Sequence, residues 1–131
     1  MADKIAFDIV SPERLLVSDS ADMVTMPGTE GYMGVMAGHA PVVTTLRVGM
    51  IDVSNNGTDT RYFIRGGLAE VSPAKVTILA EEAIPFAELD LQVLDQRIRD
   101  AEEDLIAATG EAEKNRVGEL LEDLKLVRSA F

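Results

Sequence analysis

Along the first two thirds of the chain the apolar positions come in short runs; along the last third they recur at helical spacing. Ile5-Ala6-Phe7-Asp8-Ile9-Val10 reads as a strand stopped by Ser11-Pro12, and Met23-Val24-Thr25-Met26 as another stopped by Pro27-Gly28. Branched and aromatic side chains suit a pleated, half-buried surface, and proline removes a donor that a strand ladder needs. Met50–Ser54 and Arg61–Arg65 flank Asn55-Asn56-Gly57-Thr58, which predicts a hairpin because Asn and Gly accept the positive φ of a tight turn. Leu68–Val71 and Lys75–Ala80 flank Ser72-Pro73-Ala74 in the same manner. Many short strands at near-regular spacing predict a sandwich or a barrel.

After Pro85 the period changes. Leu94, Ile98, Ala101, Leu105 and Ala108 follow alternating spacings of four and three, one apolar stripe on a helix whose other faces carry Arg97, Asp100 and Glu102-Glu103-Asp104. Thr109-Gly110 breaks that helix, with Gly110 suited to the left-handed position just past its end. Val117, Leu120, Leu121, Leu124 and Val127 or Arg128 then start a second stripe. So short a break predicts two helices packed antiparallel. The expected fold is therefore α+β, an antiparallel β-sandwich over residues 1–86 followed by an antiparallel two-helix hairpin over 87–131.

Charge narrows the partners. Twelve Lys and Arg face twenty-three Asp and Glu, a net of −11, and the excess of acid is shared by both halves. Nucleic-acid binding needs clustered cations that displace counterions, and unaided adhesion to an anionic membrane needs them too; neither is expected. Cysteine is absent, which removes disulfides, thiolate nucleophiles and cysteine metal sites. No run approaches the roughly 20 apolar residues of a membrane span, so direct insertion is not expected. Met1–Asp8 lacks the uninterrupted apolar core of a signal peptide, which points to a reducing, cytosol-like compartment.

The densest group of unusual residues is Pro27-Gly28-Thr29-Glu30-Gly31-Tyr32-Met33-Gly34-Val35-Met36-Ala37-Gly38-His39-Ala40-Pro41. Its glycines invite a phosphate-loop reading, which fails: no Gly-Lys-Ser/Thr follows, and no helical period supplies an N-terminal dipole. A chain of tight turns between strands is the expectation instead. His39 is the single histidine, so a histidine metal cluster is excluded, and a Ser-His-Asp triad lacks its Gly-x-Ser-x-Gly elbow. The acids of the helical half read as a solvated face, and Met23, Met26, Met33 and Met36 as core filler or adaptable contact surface.

This segment resembles the "pG-x-EG-x-x-Gv-x-x-GHAP" stretch of the epsilon subunits of F-type ATP synthases. Phe7-Asp8-Ile9-Val10-Ser11-Pro12-Glu13, Gly66-Gly67-Leu68-Ala69-Glu70-Val71 and Val76-Thr77-Ile78-Leu79-Ala80-Glu81-Glu82-Ala83 resemble the family in the same order. The helical half matches in length and pattern more than in residues. The resemblance implies a two-sheet sandwich with a helical hairpin, set in the central rotor stalk of a proton-translocating enzyme at the cytoplasmic face of the bacterial inner membrane. It implies partners in the gamma subunit and the ring of c subunits, and in the catalytic alpha and beta subunits when the hairpin extends to inhibit ATP hydrolysis. It further implies that Ser11, Glu30, Gly31, Tyr32 and Met33 face the ring and that His39 meets gamma. Catalytic residues and the nucleotide would belong to other subunits, and no metal site is expected in this chain. Family members that bind ATP carry Ile/Leu-Asp-x-x-Arg-Ala entering the first helix. Here Leu89 and Asp90 are followed by Val93 and Leu94, so the guanidinium that would hold phosphate is missing and no nucleotide cofactor is expected. Two other readings stay open on residues alone: a free-standing sandwich module with a helical dimerisation tail, and a small hydrolase centred on His39.

Overall fold

The computed structural model describes residues 3–131; Met1 and Ala2, which open the segment expected to carry no leader, lie outside them. The chain divides into two compact units, Met1–Ala87 and Glu88–Phe131. The first contains β1 (Ile5–Ser11), β2 (Arg14–Ala21), β3 (Met23–Gly28), β4 (Gly31–Val35), β5 (Val42–Asn55), β6 (Thr58–Val71), β7 (Lys75–Ala80) and β8 (Ala83–Pro85). Neighbours run β2-β1-β7-β6-β5-β3-β4, with β8 added on β6. All pairings are antiparallel except β1 with β7, which is parallel and brings Phe7 beside Val76 and Ile9 beside Ile78.

Alternation decides which side chains build the core. Ile5, Phe7 and Ile9 of β1, Val24 and Met26 of β3, Ile51 and Val53 of β5, and Val76 and Ile78 of β7 all point inward and are buried. Each such side chain contributes on the order of 1.5–3 kcal/mol when removed from water. The Asn55–Thr58 hairpin forms as expected, with Asn56 at φ 53° and Gly57 at φ 79°.

Three strands escape the sequence reading, and two expected strands are one. β2 lacks clean alternation because the β1–β2 register shifts between Ile9 and Val10, which puts Leu15 opposite Val10 and Val17 opposite Ile9. β4 runs through the glycine-rich segment, where tight turns were expected. β8 is only three residues long. The runs Arg61–Arg65 and Leu68–Val71 are joined in β6 through Gly66 and Gly67, at φ 70° and 135°. There β6 changes neighbour: Gly67–Val71 pairs with β7, and Tyr62–Ile64 with β8.

The second unit holds α1 (Leu91–Ala107) and α2 (Glu111–Arg128). Asp90 caps α1, its carboxylate accepting from the Gln92 N–H at 2.8 Å. Leu94, Ala101 and Ala108 are buried from the first stripe, and Val117, Leu121, Leu124 and Val127 from the second. Gly110 does not end α1. The chain is already extended at Ala108 (φ −63°, ψ 140°), and Gly110 is the N-cap of α2 at φ 81° and ψ 156°. Glu113 reaches back to accept from the Thr109 N–H at 3.2 Å, so the linker is organised as the start of α2. At the far end Arg128 donates from Nε to Asp95 at 2.9 Å, joining the last turn of α2 to α1.

Candidate interaction surfaces

The β3–β4 hairpin is closed by Gly28 opposite Gly31, with Thr29 and Glu30 exposed at its tip and Gly31 at φ 131°. Proline at position 27 offers no N–H, and beside it the β3–β5 register slips: Thr25 lies opposite Asp52, yet Gly28 lies opposite Leu46. Arg47–Ile51 on β5 therefore lie opposite only Met26-Pro27 on β3, and no β3–β5 pairing is made at Met50. The Tyr32 hydroxyl accepts from Met50 N at 3.1 Å, although the residue is 47% exposed. Met33 turns the other way, opposite Met26, and packs against the core. Of the four methionines in this region, Met26 is core, Met33 is half-buried, and Met23 and Met36 are exposed.

Ser11 ends β1 and is paired with Arg14 across the Pro12-Glu13 turn. The ladders put it at the same end of the sheet as the β3–β4 tip. Val10 lies beside Leu79, while the next positions run Ala80, Gly67, Leu46, Gly28 and Gly31 from strand to strand. Four strand spacings of about 4.8 Å place Ser11 within about 19 Å of Gly28 along the sheet. His39 belongs elsewhere. The preceding Gly38 donates to the Pro73 carbonyl at 2.7 Å, in the turn that enters β7, whereas Ser11 lies past the other end of the β1–β7 ladder. His39 Nδ1 sits 2.7 Å from the Ala40 carbonyl oxygen. A carbonyl can only accept, so Nδ1 donates, and a backbone group rather than a carboxylate orients the ring. The triad reading of His39 loses its aspartate.

The sequence reading missed the outward face of β2, β1, β7, β6 and β5. Leu15, Val10, Leu79, Leu68 and Thr45 form one cross-strand row, and Asp8, Thr77, Glu70 and Val43 the next but one. Leu15 is 58% exposed, Leu79 42% and Val43 64%. A hollow of about 330 Å³ lined by Val10, Ser11, Pro12, Leu79, Ala80 and Glu81 joins this row to Ser11. Exposed apolar side chains that are contiguous across strands mark an interaction surface rather than scatter. The charges around it are held in place: Lys75 bonds Asp8 at 2.8 Å, and that contact, with the Ser18 hydroxyl, lowers the Asp8 pKa below its ordinary value. Asp52, on β5, is shifted up by burial and by the nearby Asp59 carboxylate.

In the helical unit Asp90 is a helix cap, and Val93 is exposed where the ATP-binding pattern has Arg. Among the described residues no group of acids or histidines is arranged to hold a metal ion, and no helix is long and apolar enough to cross a membrane.

Residues 4–86 match the family model of the ATP synthase delta/epsilon chain β-sandwich domain. The chain is 51% identical over 129 residues to the ATP synthase epsilon chain of Parvibaculum lavamentivorans, covering 98% of each. It is 48% identical to that of Maricaulis maris over 121 residues, 92% of this chain and 91% of the other. Among solved structures it resembles a chain of the Euglena gracilis mitochondrial ATP synthase OSCP/F1/c-ring assembly, with a TM-score of 0.79 and 27% identity over 97% of this chain and 81% of that one. A chain of the Tetrahymena thermophila mitochondrial ATP synthase central stalk and c-ring shares the fold, with a TM-score of 0.75 at 13% identity over 98% and 97%.

Proposed function

The chain belongs to the ATP synthase delta/epsilon family, as an epsilon chain, and from that premise we propose that it joins gamma to the c ring through the sandwich and restrains ATP hydrolysis through the hairpin. It is a non-catalytic subunit of the rotor stalk; nucleotide chemistry takes place on other chains of the complex. The apolar row of Leu15, Val10, Leu79 and Leu68 carries the reading of the sandwich. Four adjacent strands present it outward, and water-exposed apolar surface of this kind gains free energy when a partner covers it. The row docks gamma. Ser11 and the tip Thr29-Glu30-Gly31 lie at one end of the sheet, which suits them to the ring, and His39 at the other end contributes to the gamma contact. The subunit is peripheral at the cytoplasmic face of the bacterial inner membrane, held there as part of the complex, and it couples proton flow in the ring to ATP synthesis.

The test is a pair of variants. Leu15→Asp with Leu79→Asp adds two exposed charges, should leave the isolated chain folded, and should abolish its association with gamma. Deletion of residues 88–131 should leave a folded sandwich that still assembles, while ATP hydrolysis by the complex rises. Normal association by the double variant would remove the gamma face from this row. Unchanged hydrolysis in the truncated complex would remove inhibition from the hairpin.

A further inference from the structure

We propose that Tyr32 is a brace inside the β3–β4 hairpin, a positioning residue that holds the tip Thr29-Glu30-Gly31 at a set angle, and that its phenol is committed to β5 rather than to a partner. The inference rests on the reading that this tip faces the ring. Its observations are geometric. The Tyr32 hydroxyl accepts the Met50 N–H at 3.1 Å, a donor on the stretch of β5 left out of the β3–β5 ladder by the register shift between Thr25 and Gly28. Gly49 lies directly beneath: a Cβ there would stand 2.6 Å from the Tyr32 hydroxyl and 3.0 Å from Pro27 Cβ. Glycine at 49, proline at 27 and tyrosine at 32 thus form one close-packed contact, and Gly49 is buried.

A tip this short has little rigidity of its own. Without a tether, force applied at Glu30 bends the hairpin about Gly28 and Gly31. With the phenol seated over Gly49, the same force passes through Tyr32 to β5, which runs the length of the sandwich. The exposed part of Tyr32 is then the side of a strut, and the surface offered to a partner is the tip. This separates two roles that the sequence motif merges, since Glu30, Gly31, Tyr32 and Met33 are adjacent in the chain but only the first two are free of the sandwich.

Gly49 makes the proposal testable, because a buried glycine cannot touch a partner. The measurements are amide hydrogen exchange at Met50 in the full-length chain, and protons pumped per ATP hydrolysed by the reconstituted complex. Tyr32→Phe, which removes only the hydroxyl, should raise Met50 exchange about five- to tenfold and lower the pumping ratio. Gly49→Ala should displace the phenol and do the same on both measures. Glu30→Lys, at the tip, should lower the ratio and leave Met50 exchange unchanged. If Met50 exchange does not respond to Tyr32→Phe, the brace is absent. If exchange rises in Tyr32→Phe and Gly49→Ala but the ratio stays at the wild-type value while Glu30→Lys lowers it, the brace does not position the tip, and the ring-facing reading survives. If all three variants pump normally, the ring-facing reading falls and the brace with it. Should Gly49→Ala fail to fold, Tyr32→Phe still decides.

Discussion

Replacing Gly67 with alanine should be among the most damaging single-methyl changes in this molecule. Gly67 sits where β6 passes from its β8 pairing to its β7 pairing, at φ 135°, a conformation that L side chains rarely adopt. A Cβ there would collide with the Leu79 carbonyl oxygen, and would lie 2.8 Å from Ala80 Cα and 3.0 Å from the Leu79 carbonyl carbon. These are backbone atoms of a paired strand, so no rotamer change relieves the clash. Strain from the φ region costs about 1–3 kcal/mol, and overpacking costs about 1–3 kcal/mol more. The sum, about 4 kcal/mol, is a large share of the roughly 5–15 kcal/mol that holds a domain together. At about 4–8 °C per kcal/mol for a unit of this size, the melting temperature should fall by about 15–30 °C.

Gly57→Ala is the control that divides the two terms. Gly57 also has positive φ, at 79°, but nothing lies within 4 Å of its would-be Cβ. It should therefore show the conformational cost alone, about 1–2 kcal/mol. Equilibrium urea denaturation of the full-length chain, followed at strand-specific amides, gives both values. If Gly67→Ala is no more destabilising than Gly57→Ala, the crowding against Leu79 is relieved by a backbone shift, and the account of Gly67 as an obligatory corner is wrong.

The other expectations concern charge. Asp8 has a lowered pKa, from its bonds to Lys75 and Ser18, so its stabilisation is present above the ordinary value of 3.8 and is lost as pH falls through the folded value; Asp8→Asn should flatten the acid limb of the stability profile below about pH 4. Asp52 has the opposite sign. Its pKa is raised by burial and Asp59, so a penalty sets in as pH rises through 3.8 towards the folded value and persists at neutral pH, and Asp52→Asn should raise the neutral melting temperature. In the hairpin, Arg128→Asp should weaken the helix pair, and Asp95→Arg combined with it should restore part of the loss; at 40% and 38% side-chain exposure the coupling should be no more than about 1 kcal/mol and should shrink in salt, and a double-mutant cycle with no coupling would make the contact ornamental. Val93→Arg restores the guanidinium of the ATP-binding pattern at an exposed position without touching buried Leu94, and calorimetry should detect ATP binding only in that variant; heat of binding in the wild type would show that phosphate is held by other residues.

Where an element's own residues determine its conformation, the sequence was readable. The Asn55–Thr58 turn needs positive φ at Asn56 and Gly57, and those residue types announce it. β1 and β7 alternate cleanly because one face of each is buried. The two helical stripes survive almost intact because helix packing depends on spacing alone. The reading failed where a neighbour overrides the local pattern. β2 loses its alternation to the bulge at Val10, and β4 is a strand despite Gly31 and Gly34 because β3 supplies its ladder. Gly66-Gly67 looked like a break between strands and is instead a bend within one, a distinction set by where β7 and β8 attach. Gly110 belongs to α2 because Glu113, three residues on, organises the linker.

The interaction surface was harder to read for a related reason. On an edge or outer face, an apolar residue at the out-of-phase position of a strand has the same local signature as a core residue one step away. Val10 next to Ile9 and Leu79 next to Ile78 are such pairs: the inner member is fully buried, and the outer member joins the exposed row. Nothing in either strand alone says that Leu15, Val10, Leu79 and Leu68 will line up, because their alignment depends on a register shift in one ladder, a parallel pairing in the second and an antiparallel pairing in the third. The glycine-rich motif drew attention instead, and part of what it encodes is internal. Gly28 and Gly31 close a hairpin, Met33 fills core space, and Tyr32 returns to β5. A motif shared across a family can therefore mark the scaffold that holds a contact in place as readily as the contact itself. In this chain the exposed remainder of the motif at the tip is small: Thr29, Glu30 and Gly31, with the outer side of Tyr32 beside them.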